Sequence, residues 1–381
     1  MATFYNRHPR PRKCHMPTCL VQALPYRADP SSYFSTVMHA PGAVLLDAGR
    51  PSAQRGRYDL ISAWPLAELS PTPDETANAF LQRLRQSLCA LGQADAPEDN
   101  PLPFVGGLIG YLSYDFGRRL EQLPAQAIDD LDLPDARFGV YAWALVSDHQ
   151  RQVSQLVFHP SLSESERQRL SRLFAAPPAH NEPPFKLLGR FHSDISAQDY
   201  QRGFARIQGY IQAGDCYQVN FAQRFRAPYQ GSAWTAYQAL RSACPTPFSG
   251  YQALAGGGAI ISLSPERFLR ISQGQVETRP IKGTRPRHAD PRQDQAQADA
   301  LLSSQKDRAE NLMIVDLLRN DLGRSCKIGS VRVPELFALE SYPNVHHLVS
   351  AVTGELAADK DALDLIAGSF PGGSITGAPK I

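Results

Sequence analysis

The 381-residue sequence has no apolar run that approaches the ~20 residues of a membrane-spanning helix; its longest, such as Ala43-Val44-Leu45-Leu46 and Ala259-Ile260-Ile261, are far shorter. A membrane partner is therefore not expected. A secretory leader is not expected either, because the basic opening Arg7-His8-Pro9-Arg10-Pro11-Arg12-Lys13 is not followed by an apolar core. Charge of one sign is missing too: 39 basic against 37 acidic residues give +2, which advertises neither nucleic acid nor another polyanion. Cysteine is sparse. Six scattered thiols make no disulfide framework and suit a reducing cytoplasm. Cys14 and Cys19 have His15 between them, but no second ligand pair at zinc-site spacing follows.

What is present reads as two or three structural units of mixed type. Residues 1–19 are expected to form a disordered basic start, 20–175 a first subdomain, 176–190 a linker and 191–381 a second domain. The apolar and aromatic stretches Ala43 to Asp47, Tyr58 to Ala63, Phe104 to Tyr114 and Arg137 to Ser147 read as strands. Helices are expected at Asp74 to Leu91 and Glu164 to Phe174. Two proline pairs, Pro177-Pro178 and Pro183-Pro184, then bar both helix and central strand. Ser196 can cap a helix carrying Tyr200, Phe204, Ile207 and Ile211, which Gly214 can close. An alternating strand follows, with Tyr217, Val219, Phe221 and Phe225 on one face.

Three more strands are expected at 259–263, 267–272 and 275–281, the last two joined at Ser272-Gln273-Gly274. A three-residue loop with Gly274 left-handed would set Glu266 and Lys282 diagonally on one face, about 7–8 Å apart at Cα. A two-residue loop would set them on opposite faces. A long helix is expected from Asp299 to Leu322, where Asp316 and Asn320 interrupt apolar positions and suggest a polar wall.

Lys282 is the residue that narrows the chemistry most. Pro280-Ile281 precede it and Gly283-Thr284 follow, a frame that suits a lysine held in place. A lysine amine becomes a useful nucleophile when desolvation or a neighbouring cation lowers its pKa from about 10.4. Near the end, Gly372-Gly373-Ser374-Ile375-Thr376-Gly377-Ala378-Pro379-Lys380 reads as a glycine loop feeding a helix, whose amides could receive an anion. Ala378-Pro379 stands where a Walker A loop needs Lys-Ser/Thr, so a carboxylate is as good a guest as a phosphate.

Seven stretches in order resemble the chorismate-utilising enzymes. They are Phe104-Val105-Gly106-Gly107 with Gly110-Tyr111 and Tyr114-Asp115; Gly214 to Asn220; Ser262 to Phe268; Glu277 to Thr284; Lys306 to Leu317; Val345 to Ser350; and the final glycine loop. The resemblance is strongest to the aminodeoxychorismate synthase component I branch, where lysine fills the slot of Lys282. The anthranilate and isochorismate branches generally carry alanine there.

The resemblance implies an α+β fold in which two large, mostly antiparallel sheets pack face to face with helices outside. It implies magnesium as cofactor and three partners: chorismate, ammonia and a glutamine amidotransferase subunit. Lys282 would be the nucleophile, Glu266 the general acid/base and Glu310 a magnesium ligand. Thr284 and His347 would lie at the substrate, with Gly373, Ser374, Thr376, Gly377 and Lys380 receiving a carboxylate. An anthranilate synthase component I-like enzyme, or an inactive protein that keeps the fold and binds the amidotransferase, are the alternatives.

Two departures stand out. Relatives that hold tryptophan carry a Leu-Leu-x-Ser-Gly run; here it is Leu45-Leu46-Asp47-Ala48-Gly49, without the serine. The family pattern also continues beyond Ile381, with a further glutamate ligand, a substrate arginine and strands that complete the core, so the chain is expected to be truncated.

Overall fold

The computed structural model describes residues 2–4, 16–53, 56–124, 126–176 and 181–380. The Arg7–Lys13 run and the Cys14-His15 pair lie outside the described residues. Two compact units are present, one of Met1–Glu182 with Ala233–Pro265, the other of Pro183–Ser232 with Glu266–Ile381. The chain first passes from one unit to the other between Glu182 and Pro183, and it does not divide at one cut. Phe248–Ala253 pairs with Val44–Asp47 on one side and Ala259–Ser264 on the other, which draws 233–265 back into the first unit.

The first unit is built on a seven-stranded antiparallel sheet. Its order is Ala259–Ser264, Phe248–Ala253, Val44–Asp47, Tyr58–Ser62, Trp143–Asp148, Val153–Phe158 and Leu20–Leu24. A four-stranded sheet adds Ala2–Phe4, Gly107–Leu112, Ala136–Tyr141 and Ala67–Leu69. The single strand expected over 137–147 is in fact two, one in each sheet, separated at Ala142. Phe138, Val140 and Tyr141 are buried on one side of the break and Trp143, Leu145 and Val146 on the other. A continuous apolar run hides such a break, because neither piece alternates. Helices Ala77–Leu91 and Glu164–Ala175 form as expected, each opened by a hydroxyl cap: Thr76 accepts from Ala79 N–H and Ser163 from Glu166 N–H, both at 3.2 Å.

Asp47, which stands in the departing Leu-Leu-Asp-Ala-Gly run, is a buried anchor. Its carboxylate accepts from Tyr237 Oη at 2.7 Å, from Arg241 Nε at 2.6 Å and from the Gly49 amide at 2.7 Å. Arg241 and Tyr237 sit on helix Ala233–Ala243, so this carboxylate ties that helix to the sheet.

In the second unit the short strands Lys186–Leu187 and His192–Ser193 precede helix α1 (Ala197–Ala213), which is capped by Ser196 and closed by left-handed Gly214 as expected. The alternating strand after it does not form. Only Gln218–Val219 and Phe225–Arg226 pair, and Tyr217, Val219, Phe221 and Phe225 are exposed. Alternation alone cannot hold a strand that buries neither face.

Five antiparallel strands follow: β1 (Arg270–Ser272), β2 (Gln275–Thr278), β3 (Ile281–Pro286), β4 (Arg332–Ser341) and β5 (Val345–Glu355). Their order is β1-β2-β5-β3, with β4 also paired to β5. The helix expected over 299–322 is two, α2 (Pro291–Ser303) and α3 (Gln305–Gly323). Ser304 breaks them: its backbone leaves helical angles and its side chain accepts from Asp307 N–H, capping α3. On α3, Ile314, Val315, Leu318 and Leu322 enter a core with Val276, Val352 and Leu365. Among the described residues no helix is long and apolar enough to cross a membrane.

Candidate functional site

All the residues singled out by sequence lie in the second unit. Lys282 is on β3, where the ladder to β5 is irregular: Ile281 pairs with Val349 and Thr284 with His347, so Lys282 and Gly283 together face Leu348. Gly283 makes this bulge possible. Its φ is +88°, and a Cβ there would lie 2.9 Å from Asp307 Cβ and from Leu301 Cδ1.

The bulge turns the lysine inward, leaving its side chain 12% exposed. Its Nζ donates to the Ser374 carbonyl at 3.1 Å and lies 3.8 Å from Glu310 Oε1 on α3.

Glu266 reaches the same place by a route the strand pattern did not anticipate. The β1–β2 turn has two residues, Gln273 and Gly274, both at positive φ, and pairs Arg270 with Glu277 and Ile271 with Val276. In a regular ladder this register would part Glu266 from Lys282. Neither residue is on a regular ladder, because β1 starts only at Arg270 and the β3 pairing shifts between Ile281 and Thr284. Burial raises the Glu266 carboxyl above its ordinary pKa, against the opposing pull of a Ser374 hydrogen bond and of the Lys282 charge. Ser374 thus touches both groups, its side chain on the carboxyl and its carbonyl on the amine.

His347, on β5, is buried, and its Nδ1 is 2.9 Å from Thr284 Oγ1 on β3. The ring also packs edge-on against Tyr342, with centroids 5.4 Å apart. Burial lowers its pKa, so near neutral pH it is an uncharged imidazole.

The glycine loop is a short helical turn, Gly373–Ile375, followed by a strand, Gly377–Ala378, paired with Gln218–Val219. This strand replaces the helix opening expected around Pro379. Two glycines are needed for close approach: a Cβ on Gly373 would meet Leu317 Cδ2 at 2.6 Å, and one on Gly377 the Gln218 carbonyl oxygen at 2.6 Å. Asn220 holds the turn, donating its backbone N–H to Thr376 O at 2.7 Å and its Nδ2 to Ser374 O at 3.3 Å. Thr376 Oγ1 turns inward, to the carbonyls of Gly372 and Gly373.

Lys380 does not join the group. Its ammonium donates to both Asp321 oxygens, at 3.0 and 3.1 Å, and to Ser369 O at 2.8 Å, with lysine and aspartate side chains 8% and 7% exposed. The geometry therefore makes it a buried pin between the loop and α3, in place of the substrate contact the motif implies. Asp316 and Asn320 do not form a polar wall; both are exposed, and Asp316 pairs with Arg319. Helical spacing explains it, since Asn311, Ile314, Leu318 and Leu322 share the buried face while 316 and 320 lie across from it. The polar residue that sequence reasoning passed over is Asn311. An amide on the apolar stripe was the available signal.

Glu310 is one-third exposed and offers a hard oxygen donor facing the same space as Lys282. Among the described residues no group of three or more His, Cys, Asp or Glu is gathered around a point. That donor set fits a magnesium ion held by one carboxylate, the rest of its shell being water and substrate oxygen. The whole arrangement is an amine, a carboxyl kept toward its acid form, a neutral imidazole and a glycine turn. It can attack a carbon centre while protonating a leaving oxygen.

Comparison with known proteins gives the same direction. The sequence pattern of the family described as chorismate binding enzyme matches residues 43–381. Aminodeoxychorismate synthase component 1 of Klebsiella aerogenes is 46% identical over 373 residues, which cover 94% of this chain and 81% of that protein. The crystal structure of anthranilate synthase component I from Streptococcus pneumoniae TIGR4 superposes with a TM-score of 0.72 at 27% identity, covering 86% of this chain and 75% of that one. The structure of MenF, the menaquinone-specific isochorismate synthase of Escherichia coli, shares the fold at 14% identity, with a TM-score of 0.68 over 96% of this chain and 77% of its own.

Proposed function

We propose, from the premise that this chain belongs to the chorismate binding enzyme family, that it is the component that aminates chorismate, converting chorismate and ammonia to 4-amino-4-deoxychorismate and water. The observation that carries the reading is Lys282, a largely buried amine placed beside Glu266 and Glu310. Strong identity to the aminodeoxychorismate synthase component 1 of Klebsiella aerogenes supports the same choice over anthranilate formation.

In this mechanism the Lys282 nitrogen bonds to C2 of the ring, both ring double bonds shift by one position, from C1=C2 to C1=C6 and from C5=C6 to C4=C5, and the C4–O bond breaks. Glu266 gives its proton to the departing hydroxyl, which leaves as water; the burial that raises its pKa keeps that proton available. Ammonia then bonds to C4, the lysine–C2 bond breaks, and the excess proton on nitrogen returns to Glu266. Two moderate steps replace one difficult substitution. Glu310 would hold magnesium, which when bound neutralises the ring carboxylate. Thr284 and His347 orient the ring from β3 and β5, and the turn at Gly373, Ser374, Thr376 and Gly377 receives a carboxylate. A separate glutamine amidotransferase subunit supplies the ammonia.

The test is an assay with chorismate, ammonium and magnesium. It should yield aminodeoxychorismate, and Lys282→Ala should lower turnover by about 10² or more while the far-UV circular dichroism stays unchanged. Formation of anthranilate and pyruvate, or full activity in Lys282→Ala, would overturn the assignment.

A further inference from the structure

Behind Lys282 and Glu310 lies a fully buried polar knot. Asn311 and Ser350 each have 0% of their surface exposed. Ser350 Oγ donates to Asn311 Oδ1 at 2.5 Å, and Asn311 Nδ2 donates to the Leu348 carbonyl at 3.3 Å. The Phe337 amide donates to Ser350 Oγ at 3.1 Å, and the Ser350 amide donates to the Pro280 carbonyl at 3.3 Å. The bonds run in one direction. Because the serine proton goes to Asn311, the asparagine oxygen must face Ser350 and its NH2 must face Leu348.

Each anchor of this knot adjoins the site. Asn311 follows Glu310 on α3. Leu348 is the residue faced by the bulged pair Lys282-Gly283, and it follows His347. Pro280 lies two residues before Lys282. Phe337 has φ of 59° at an irregularity where β4 meets β5, and Ser350 satisfies its amide. One side-chain pair therefore joins the helix that carries the glutamate to the strands that carry the lysine and the histidine. An apolar contact there would let α3 slip along the sheet with little directional penalty. A buried hydrogen bond resists slipping, because breaking it leaves desolvated donors and acceptors unpaired.

We infer that Asn311, acting through Ser350, is a positioning residue that fixes the separation of Lys282 and Glu310. It touches neither reactant. The inference rests on the proposed role of Lys282, and its test is chosen to part the two.

The experiment is a double-mutant cycle of Asn311→Ala and Ser350→Ala, read in two ways. The first is kcat and KM for chorismate with ammonium. The second is the rate at which Lys282 is acetylated by trace acetic anhydride in the ligand-free protein, followed by mass spectrometry of its peptide. Each single variant should lower kcat about tenfold or more, with KM changed less than about threefold, since a small misplacement of reacting groups falls mainly on turnover. Each should also shift Lys282 acetylation by about threefold or more, and the double variant should be no worse than the worse single one. Wild-type protein that fails to aminate chorismate would sink the functional reading, while the acetylation rates would still decide the positioning role. A lowered melting temperature with unchanged acetylation and unchanged kcat would reduce the knot to a structural one and overturn the inference. Effects that multiply in the double variant would overturn it too. If an alanine variant does not fold, Ser350→Cys, which keeps the volume and weakens the bond, is scored by the same criteria.

Discussion

Gly283 and Asp307 leave no room for a side chain between them: a Cβ on the glycine would stand 2.9 Å from the aspartate Cβ and 3.1 Å from its Cγ. The bulge that aims Lys282 therefore depends on an absent methyl group. Gly283→Ala should cost roughly 1–2 kcal/mol for the left-handed backbone and about 1–3 kcal/mol for overpacking. Thermal unfolding should fall by several degrees. Turnover should fall further than stability predicts, because relief of the clash moves Lys282; a variant with lowered melting temperature and wild-type kcat would refute the link.

Glu266 should trade stability for function. Its folded pKa is raised by burial, so the folded protein holds a proton that the unfolded chain would release. Such a group contributes most at low pH, and its contribution is lost as pH rises from the ordinary carboxylate range through the raised value. Glu266→Gln stays neutral throughout. Its melting temperature should exceed the wild type's at about pH 8 and approach it near pH 4, while kcat drops about 10²–10⁴-fold. Differential scanning calorimetry over that range checks the first part and steady-state kinetics the second.

The buried pair of Lys380 and Asp321 separates two meanings of one lysine. Breaking it leaves Asp321 desolvated and without its ammonium, which costs about 3–5 kcal/mol in comparable buried pairs. Lys380→Ala should therefore lower the melting temperature strongly and change KM little at a temperature where the variant is folded. A raised KM at constant stability would instead return Lys380 to substrate binding.

His347 carries a pKa lowered by burial. The stability of its neutral form is fully present above the ordinary histidine range and is lost as pH falls through the lowered value. In an NMR titration with His347→Gln as the assignment control, the His347 ring should titrate below about 6.5. Turnover should show no inflection from this ring between about pH 7 and 8. A midpoint at or above the ordinary value would refute the buried, neutral imidazole.

Part of the helical framework could be read from residue order, because its parts are local. Ser196 caps α1 where a hydroxyl precedes apolar periodicity, and Gly214 closes it where it should. The breaks were harder. Ser304 sits inside a continuous helical pattern, although Asp307 three residues on was a usable capping signal. Gln273-Gly274 forms a tight hairpin that Asn-Gly would have announced and glutamine does not. The frame around Lys282 marks it in the sequence, yet what turns it inward is a pairing shift against β5, more than sixty positions away in sequence. Lys380 and Asp321 illustrate the same limit: a motif names a residue, but only tertiary placement says which way its charge is spent.

The return of 233–265 to the first unit has a consequence for biosynthesis. Val44 finds its strand neighbour at Gln252, so the seven-stranded sheet lacks two members until some two hundred further residues have left the ribosome. At roughly 5–20 residues per second that wait is about 10–40 s. During it the Val44–Asp47 strand has one open side, and residues 183–232 of the other unit emerge before the sheet is complete. Synthesis therefore leaves one side of that strand open while its distant second partner is still to come.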